Sequence, residues 1–454
     1  MKEQITICGA GLVGSLLAIF LVEQGYTVRV FEKRKDPRTN SEDAGRSINL
    51  AISHRGLHAL KDACTDLDIE ALKLAVPMYG RAIHDVLGSV VFQAYGEATQ
   101  HINSISRGAL NILLIAKAEE LGVQFLFSHT CVEYKQTEKK WIFKNLQGDS
   151  IATEQAEIMI GADGAFSVIR KNLLGVLNKD AKIDALDYGY KELEIYPKEG
   201  ASIILKEALH IWPRERFMLI ALPNTNGSYT ATLFLSMQGE QSFENLKTSE
   251  EILLFFKTYF EDALQLIPDL VSQFNAHPTS RLSTIHTDDW YNDHTLLIGD
   301  AAHALVPFYG QGMNAGFEDC RILSEILKDK KSYSTWEEIF EVFFIKRKVN
   351  CDAISDLALQ NFVEMRDDVA DASFHIRKKI EKYLHHTLKD AFIPQYTLVS
   401  FSDAPYSEAK EVGVLHATIL NEIMLLPQIV ELWPTVELES EVLKIVSTYI
   451  GDVI

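Results

Sequence analysis

The sequence predicts an α/β protein in which a parallel-sheet domain is interleaved with an antiparallel sheet and followed by a helical C-terminal region. Three observations lead there. The opening reads as strand (Ile5 to Cys8), helix (about Ser15 to Gln24, stopped by Gly25) and strand (Tyr26 to Glu32), one βαβ unit. Ala201 to Gly239 alternates apolar runs with turn signals such as Pro223-Asn224-Thr225-Asn226-Gly227, the pattern of antiparallel strands. Beyond Lys331 apolar residues recur at helical spacing, and Ser334 with Glu337 is expected to form a capping box ahead of Trp336, Ile339, Phe340 and Phe343.

At 454 residues the chain exceeds one ordinary core. The parallel-sheet domain is expected to comprise residues 1–75, 97–180 and 286–330, the antiparallel-sheet domain 76–96 and 181–285, and the helical region 331–454. The charge sum of 44 Lys and Arg against 63 Asp and Glu gives −19, which repels phosphate backbones and excludes nucleic acid as an expected partner. Five cysteines without a Cys-x-x-Cys pattern suggest neither a disulfide framework nor a thiolate zinc site, and a reducing cytoplasm fits. The uncharged run Ile5 to Val22 imitates a signal peptide, but its glycines stand where a strand turns into a helix; Ile423 to Val430 is too short to span a bilayer. No membrane anchor is expected.

Gly9-Ala10-Gly11-Leu12-Val13-Gly14 follows the first strand and opens the helix. Glycines there permit a tight turn and close backbone approach to a pyrophosphate at the helix N-terminus, so Gly9, Gly11 and Gly14 are candidate dinucleotide contacts. Glu32 ends the second strand, where a carboxylate can accept from a ribose hydroxyl. This makes the parallel-sheet domain Rossmann-like. Two further strand-like runs, Ile158 to Gly161 and Thr295 to Ile298, end in Ala162-Asp163-Gly164 and Gly299-Asp300. Asp300 at a strand end can accept from a ribityl hydroxyl, and Pro307-Phe308-Tyr309-Gly310-Gln311-Gly312-Met313-Asn314 opens a helix whose free N–H groups favour negative charge on a bound ring.

The N-terminal fingerprint, Gly161-Ala162-Asp163-Gly164 and Gly299-Asp300-Ala301-Ala302-His303, with Pro307 beyond, occur in the order of the aromatic-ring hydroxylases of the flavoprotein monooxygenase family, which the chain resembles over roughly its first 330 residues. The segment Gly45-Arg46-Ser47-Ile48-Asn49-Leu50-Ala51-Ile52-Ser53-His54-Arg55-Gly56 narrows the resemblance to the members that hydroxylate kynurenine. Tyr190-Lys191-Glu192-Leu193, His210-Ile211-Trp212-Pro213, Asn361-Phe362-Val363-Glu364-Met365 and Phe392-Ile393-Pro394-Gln395-Tyr396 extend it into the helical tail.

The resemblance implies an FAD-binding domain, an antiparallel substrate domain, and hydroxylation of L-kynurenine ortho to its amine with NADPH and O2 through a flavin C4a-hydroperoxide. It implies that Arg81, Tyr95 and Tyr396 hold the substrate carboxylate, that Asn361 and Glu364 meet the amino-acid head group, and that Arg46, Arg107, Asp163, Asp300, Gly310, Gly312, Met313 and Asn314 contact FAD. Pro307, Phe308 and Tyr309 are expected to line the cavity. No acid or base is assigned, because the aniline already activates the ring. A monomer or homodimer is expected. Neither a Walker loop nor a His-Glu-x-x-His pair occurs, and adjacent His385 and His386 would diverge on a helix, so no catalytic metal is expected. NADPH has no second fingerprint, which agrees with transient binding. A related hydroxylase of another aromatic compound, a flavin-binding redox sensor without turnover and a nicotinamide-dependent dehydrogenase are the rival readings.

Overall fold

The computed structural model describes residues 3–39, 49–97, 99–198, 200–364 and 372–451. The β-branched run Gln4–Cys8 is the centre of a six-stranded sheet, flanked in parallel by Ile158–Gly161 on one side and Thr27–Glu32 on the other. Thr295–Leu297 adds in parallel beyond Ile158–Gly161, and Gln124–Phe127 beyond Thr27–Glu32. Helices cover such a sheet on both faces, so Ile5, Ile7, Val30, Ile160, Leu296 and Leu297 are fully buried.

The register has a functional consequence. Cys8 pairs with Gly161, and Gly161 with Leu297, so three motifs more than a hundred residues apart leave the same edge together. The Ala162 amide donates to Cys8 O at 2.8 Å, and the Ile298 amide to Gly161 O at 3.0 Å. The first helix is Leu12–Glu23, three residues earlier than the apolar pattern suggests, because Gly11 takes the extended backbone of an N-cap.

The second sheet has seven strands, in the order Ser280–His286, Lys182–Ile195, Tyr229–Ser236, Phe217–Pro223, Ala208–Arg214, Gly80–His84 and Val90–Ala94. Only the Ala208–Arg214 and Gly80–His84 pair is parallel, an inserted excursion of the chain from the first domain. Its outer face buries Trp212, Tyr229 and Leu233 against the helices Ser249–Tyr259 and Leu270–Ala276. Each such side chain contributes about 1.5–3 kcal/mol by leaving water. Its other face meets the loop at Phe308 and the long helix Trp336–Val363 through Phe234, Ile211, Leu357 and Phe362.

The capping box expected at Ser334 and Glu337 is displaced by one residue. Thr335 has the extended cap conformation and its hydroxyl accepts from the Glu338 amide at 3.2 Å, while the Glu338 carboxylate reaches back to the Ser334 amide at 2.7 Å. The tail continues with Ala372–Leu388, Gln395–Phe401, Tyr406–Ile423 and Val436–Ile450. Among the described residues no helix is long and apolar enough to cross a membrane.

Candidate active site

Two of the three fingerprint glycines, Gly9 and Gly14, sit where a side chain would collide with backbone, whereas a Cβ on Gly11 would meet no protein atom within 4 Å. Gly9 has φ +107°, and a Cβ there would lie 2.4 Å from Ala162 O; a Cβ on Gly14 would lie 2.0 Å from Gly9 O. Glu32, buried, accepts from the Ala10 amide at 2.9 Å through one oxygen and from the Arg34 amide and Nε through the other. Burial pushes its carboxyl up, but the Arg34 guanidinium and the two amides overcome this and hold it below the usual range. Asn111, on the helix Arg107–Glu120, donates to Ala10 O at 3.1 Å and leaves its own Oδ1 buried without a partner.

Asp300 keeps an accessible side chain although protein surrounds it, the mark of a residue facing a deep cleft. Burial raises its pKa, offset in part by His303 and by the exposed Arg107 across the cleft. Asp163 departs from expectation. Its Oδ1 accepts from Ser167 Oγ at 2.5 Å and its Oδ2 from the Val168 amide at 2.7 Å, so the carboxylate caps the helix Val168–Val176 and is committed inside the protein. Asn314 departs likewise. Fully buried, it accepts from the Ser53 amide at 3.0 Å and donates to Ala51 O and Gly310 O at 2.9 Å, so its side chain braces the loop. What remains for a ligand there is backbone: the first bond of the helix Gly312–Lys328 runs from the Ala315 amide to Gln311 O at 2.8 Å, leaving the amides of Gly312, Met313 and Asn314 at the free N-terminus. Gly310 holds the left-handed turn before it, with φ +66°. Arg46 lies outside the described residues.

A buried ionic network, not foreseen from the sequence, holds these parts together. His303 Nε2 meets Asp319 Oδ2 at 2.6 Å, and that oxygen also accepts from the Gly299 amide at 3.1 Å. Arg347 spans Asp319 at 2.7 Å and Glu318 at 2.6 Å, and Glu318 is paired in turn with Arg55 at 2.7 Å. Arg55 lies 4.0 Å from the ring centre of Tyr406, whose hydroxyl donates to Gln311 Oε1 at 2.9 Å. Burial disfavours the charges of His303, Asp319, Glu318 and Arg347, yet His303 and Arg347 hold the Asp319 carboxyl below its usual range, and Cys351 and Asp319 hold His303 well above its own. The sequence offers His303 and Arg55 inside recognisable motifs, but nothing local links them to Glu318, Asp319 and Arg347.

The remaining candidates gather at the other side of Phe308 and Tyr309. Arg81 lies on the Gly80–His84 strand and Tyr95 just beyond Val90–Ala94, facing Tyr396 of the Gln395–Phe401 helix. The Arg81 guanidinium is 5.6 Å from the Tyr95 ring centre and 5.3 Å from that of Tyr396, and the two rings stack at 5.3 Å. Tyr309 stacks on the outer side of Tyr396 at 5.7 Å. Arg81 Nε and the Tyr95 hydroxyl are both buried and without a partner. Burial alone would lower the Arg81 pKa, but the neighbouring Tyr396, Tyr95 and Glu364 outweigh it and raise it.

Two expected head-group contacts are partly engaged elsewhere. Asn361 Nδ2 donates to Phe308 O at 2.6 Å, bracing the same loop, and Glu364 is 3.4 Å from Lys378, a cation that the sequence reading missed. Lys378 also pairs with Glu381 at 3.5 Å, one helical turn on, an ordinary surface pattern until folding carries it to this cavity. Phe308 is sandwiched by Phe362 at 4.2 Å and Phe234 at 4.9 Å, and Pro307 stays exposed beside them.

An FAD binding domain model matches residues 2–332. The chain is 66% identical over 450 residues, 99% of its length and 100% of the relative's, to the kynurenine 3-monooxygenase of Cytophaga hutchinsonii. The chain belongs to the kynurenine 3-monooxygenase family. It is also 45% identical to the Myxococcus xanthus kynurenine 3-monooxygenase over 93% of this chain and 91% of that one, and 42% identical to that of Dictyostelium discoideum over 93% and 94%. In fold it matches the tetrameric form of 2-methyl-3-hydroxypyridine-5-carboxylic acid oxygenase with TM-score 0.64 at 18% identity, covering 85% of this chain and 98% of that chain. It matches Pseudomonas aeruginosa PqsL, in complex with 2-aminobenzoylacetate, with TM-score 0.63 at 17% identity, covering 81% and 97%.

As a member of the kynurenine 3-monooxygenase family it is an FAD-dependent monooxygenase, and the residues present fit that cofactor. Gly9 and Gly14 let the strand-to-helix turn close tightly, Gly11 leaves open space beside the helix N-terminus for a pyrophosphate, and Glu32 offers lone pairs for a ribose. The partnerless Asn111 Oδ1, the accessible Asp300 and the free amides of residues 312–314 supply further acceptors and donors.

Proposed function

We propose that this chain hydroxylates L-kynurenine to 3-hydroxy-L-kynurenine, with NADPH and O2 as co-substrates, and that Arg81 anchors the substrate. The supporting observation is the convergence of two buried, partnerless polar groups, Arg81 Nε and Tyr95 OH, beside the loop that opens the Gly312–Lys328 helix. A buried guanidinium N–H without an acceptor is costly, and an α-carboxylate completes it with a charge-assisted hydrogen bond. Tyr396 donates to the same carboxylate, and Glu364 receives the α-ammonium.

With the amino-acid end held there, the aniline ring extends along Phe308, which Phe234 and Phe362 keep in place. Bound FAD supplies the chemistry, accepting electrons from NADPH and activating O2. The protein's part is alignment and exclusion of water. The free amides of Gly312, Met313 and Asn314 would hold the edge of a bound flavin ring and offer it partial positive charge that favours its reduced form. No side chain is required to take a proton before the oxygen transfer, since the ring amine already enriches the carbon ortho to it. The enzyme is proposed to act as a cytoplasmic monomer or homodimer.

Anaerobic reduction by NADPH with and without L-kynurenine, followed by admission of oxygen and mass analysis of the product, tests this reading. Faster reduction and a 3-hydroxylated product are expected. Reduction without hydroxylation of L-kynurenine would overturn it.

A further inference from the structure

The turn-rich junction between the Gln395–Phe401 and Tyr406–Ile423 helices carries a cluster that the hydroxylation does not use. His54 and His58 stand one turn apart on the helix His54–Ala63 and converge on Asp403 of that junction. His54 Nε2 is 3.0 Å from Asp403 Oδ2, and His58 Nδ1 is 3.0 Å from Asp403 Oδ1. One nitrogen from each imidazole and one carboxylate oxygen all lie within 4.8 Å of one another. We propose that His54, His58 and Asp403 form a binding site for a divalent transition-metal ion of the Zn2+ class, which clamps the C-terminal region onto the FAD-binding domain.

Three features of the cluster point to a metal rather than to surface ion pairs. Zinc with nitrogen and oxygen ligands at about 2.0–2.1 Å places ligand atoms roughly 3.3 Å apart, near the 3.0 Å from each imidazole to Asp403. His58 turns its other ring nitrogen, Nε2, to Asp62 at 3.3 Å. A carboxylate behind a ligating imidazole fixes its tautomer and raises its basicity, an arrangement that recurs around bound zinc. The side chains of His54, His58 and Asp403 are 45%, 33% and 40% exposed, so an ion reaches them from solution and water completes the coordination.

The scaffold is also rigid. Arg55, next to His54 and 1% exposed, donates to Ala404 O and to Val399 O, which seats the Asp403 junction independently of the ion. Imidazole and carboxylate ligands suit Zn2+, Ni2+ and Cu2+ and disfavour Mg2+. The clamp matters because the Gln395–Phe401 helix carries Tyr396 at the substrate end of the cavity. An ion here holds that helix to the strand-and-helix segment Asn49–Ala63, on which the Asn314 brace also rests.

The test uses tag-free, FAD-loaded protein stripped with a chelator, titrated with Zn2+ by calorimetry and with Co2+ by visible absorption. One ion per chain is expected, with Mg2+ giving no heat. His58→Gln and Asp403→Asn should each weaken Zn2+ binding at least ten-fold and abolish the rise in melting temperature that Zn2+ produces. Cys64→Ser, which removes the partly exposed thiol that follows the same helix, should change neither. Hydrogen exchange across residues 395–405 should slow with Zn2+ in the unaltered protein and not in Asp403→Asn. Absence of a saturable single site, binding undiminished in both variants, or binding lost in Cys64→Ser would overturn the site; binding without slowed exchange would overturn the clamp.

Discussion

At the scale of single residues, Arg81 is the most consequential side chain. Arg81→Ala removes the buried cation without touching the cofactor cleft, so KM for L-kynurenine should rise on the order of a hundred-fold, the worth of a buried charge pair, with flavin content unchanged. Steady-state kinetics and the flavin absorbance of the purified variant check both halves. Tyr95→Phe deletes one hydrogen bond to a charged group and should cost about ten-fold, while the ring still stacks on Tyr396. Residue roles were only half legible beforehand. Arg81 and Tyr95 are isolated letters in the chain, and nothing local distinguishes them from rim residues until the sheet brings them opposite Tyr396. Asp163 and Asn314 illustrate the converse, since a motif identifies the position but not whether its side chain faces a ligand or ties down its own loop.

At the scale of elements, the strand-to-helix turn Gly9 to Gly14 and the Gly312–Lys328 helix carry the cofactor cleft. Gly14→Ala would place a methyl group 2.0 Å from Gly9 O, which backbone cannot avoid, so the variant should purify without flavin absorbance. The helix depends on its buried ions. Asp319→Asn takes the carboxylate away from His303 and leaves Arg347 with Glu318 alone, and should cost about 3–5 kcal/mol at pH 7, read as a lower urea midpoint. The signs of the pH response differ within the network. Asp319 and Glu318 have lowered pKa values, so their stabilisation is present above the unfolded carboxylate range and fades as pH falls through the folded values. His303, raised, stabilises below its unfolded value and loses that contribution as pH rises through its folded one.

At the scale of the whole molecule, the helical tail is welded to the two sheet domains by Tyr406, Val399, Leu357 and Phe362, and its own core contains a neutral imidazole. His416 stacks on Phe392 at 3.7 Å, and burial holds its pKa down to about 4. Between the unfolded value near 6.5 and that folded value the unfolded chain binds the extra proton, so stability should fall as pH drops through this window. His416→Phe keeps the stacked ring and removes the proton site; denaturant titrations at pH 7 and pH 5 should show a smaller acid loss than in the parent, by roughly 1–2 kcal/mol. An undiminished loss would place the acid sensitivity elsewhere.

The amino-acid sequence by itself determined the βαβ start, the antiparallel middle, the helical tail and the family, because local periodicity and contiguous motifs record how neighbouring residues must fold and what backbone geometry a nucleotide requires. Only the tertiary structure decided that three strand ends share one edge, that the Asp163 and Asn314 side chains bind their own scaffold, that Lys378 pairs with Glu364, and that His303, Asp319, Arg347, Glu318 and Arg55 form one buried network. Those facts rest on which side chains meet across hundreds of residues. Sheet register and helix packing set such meetings, and no local pattern contains them.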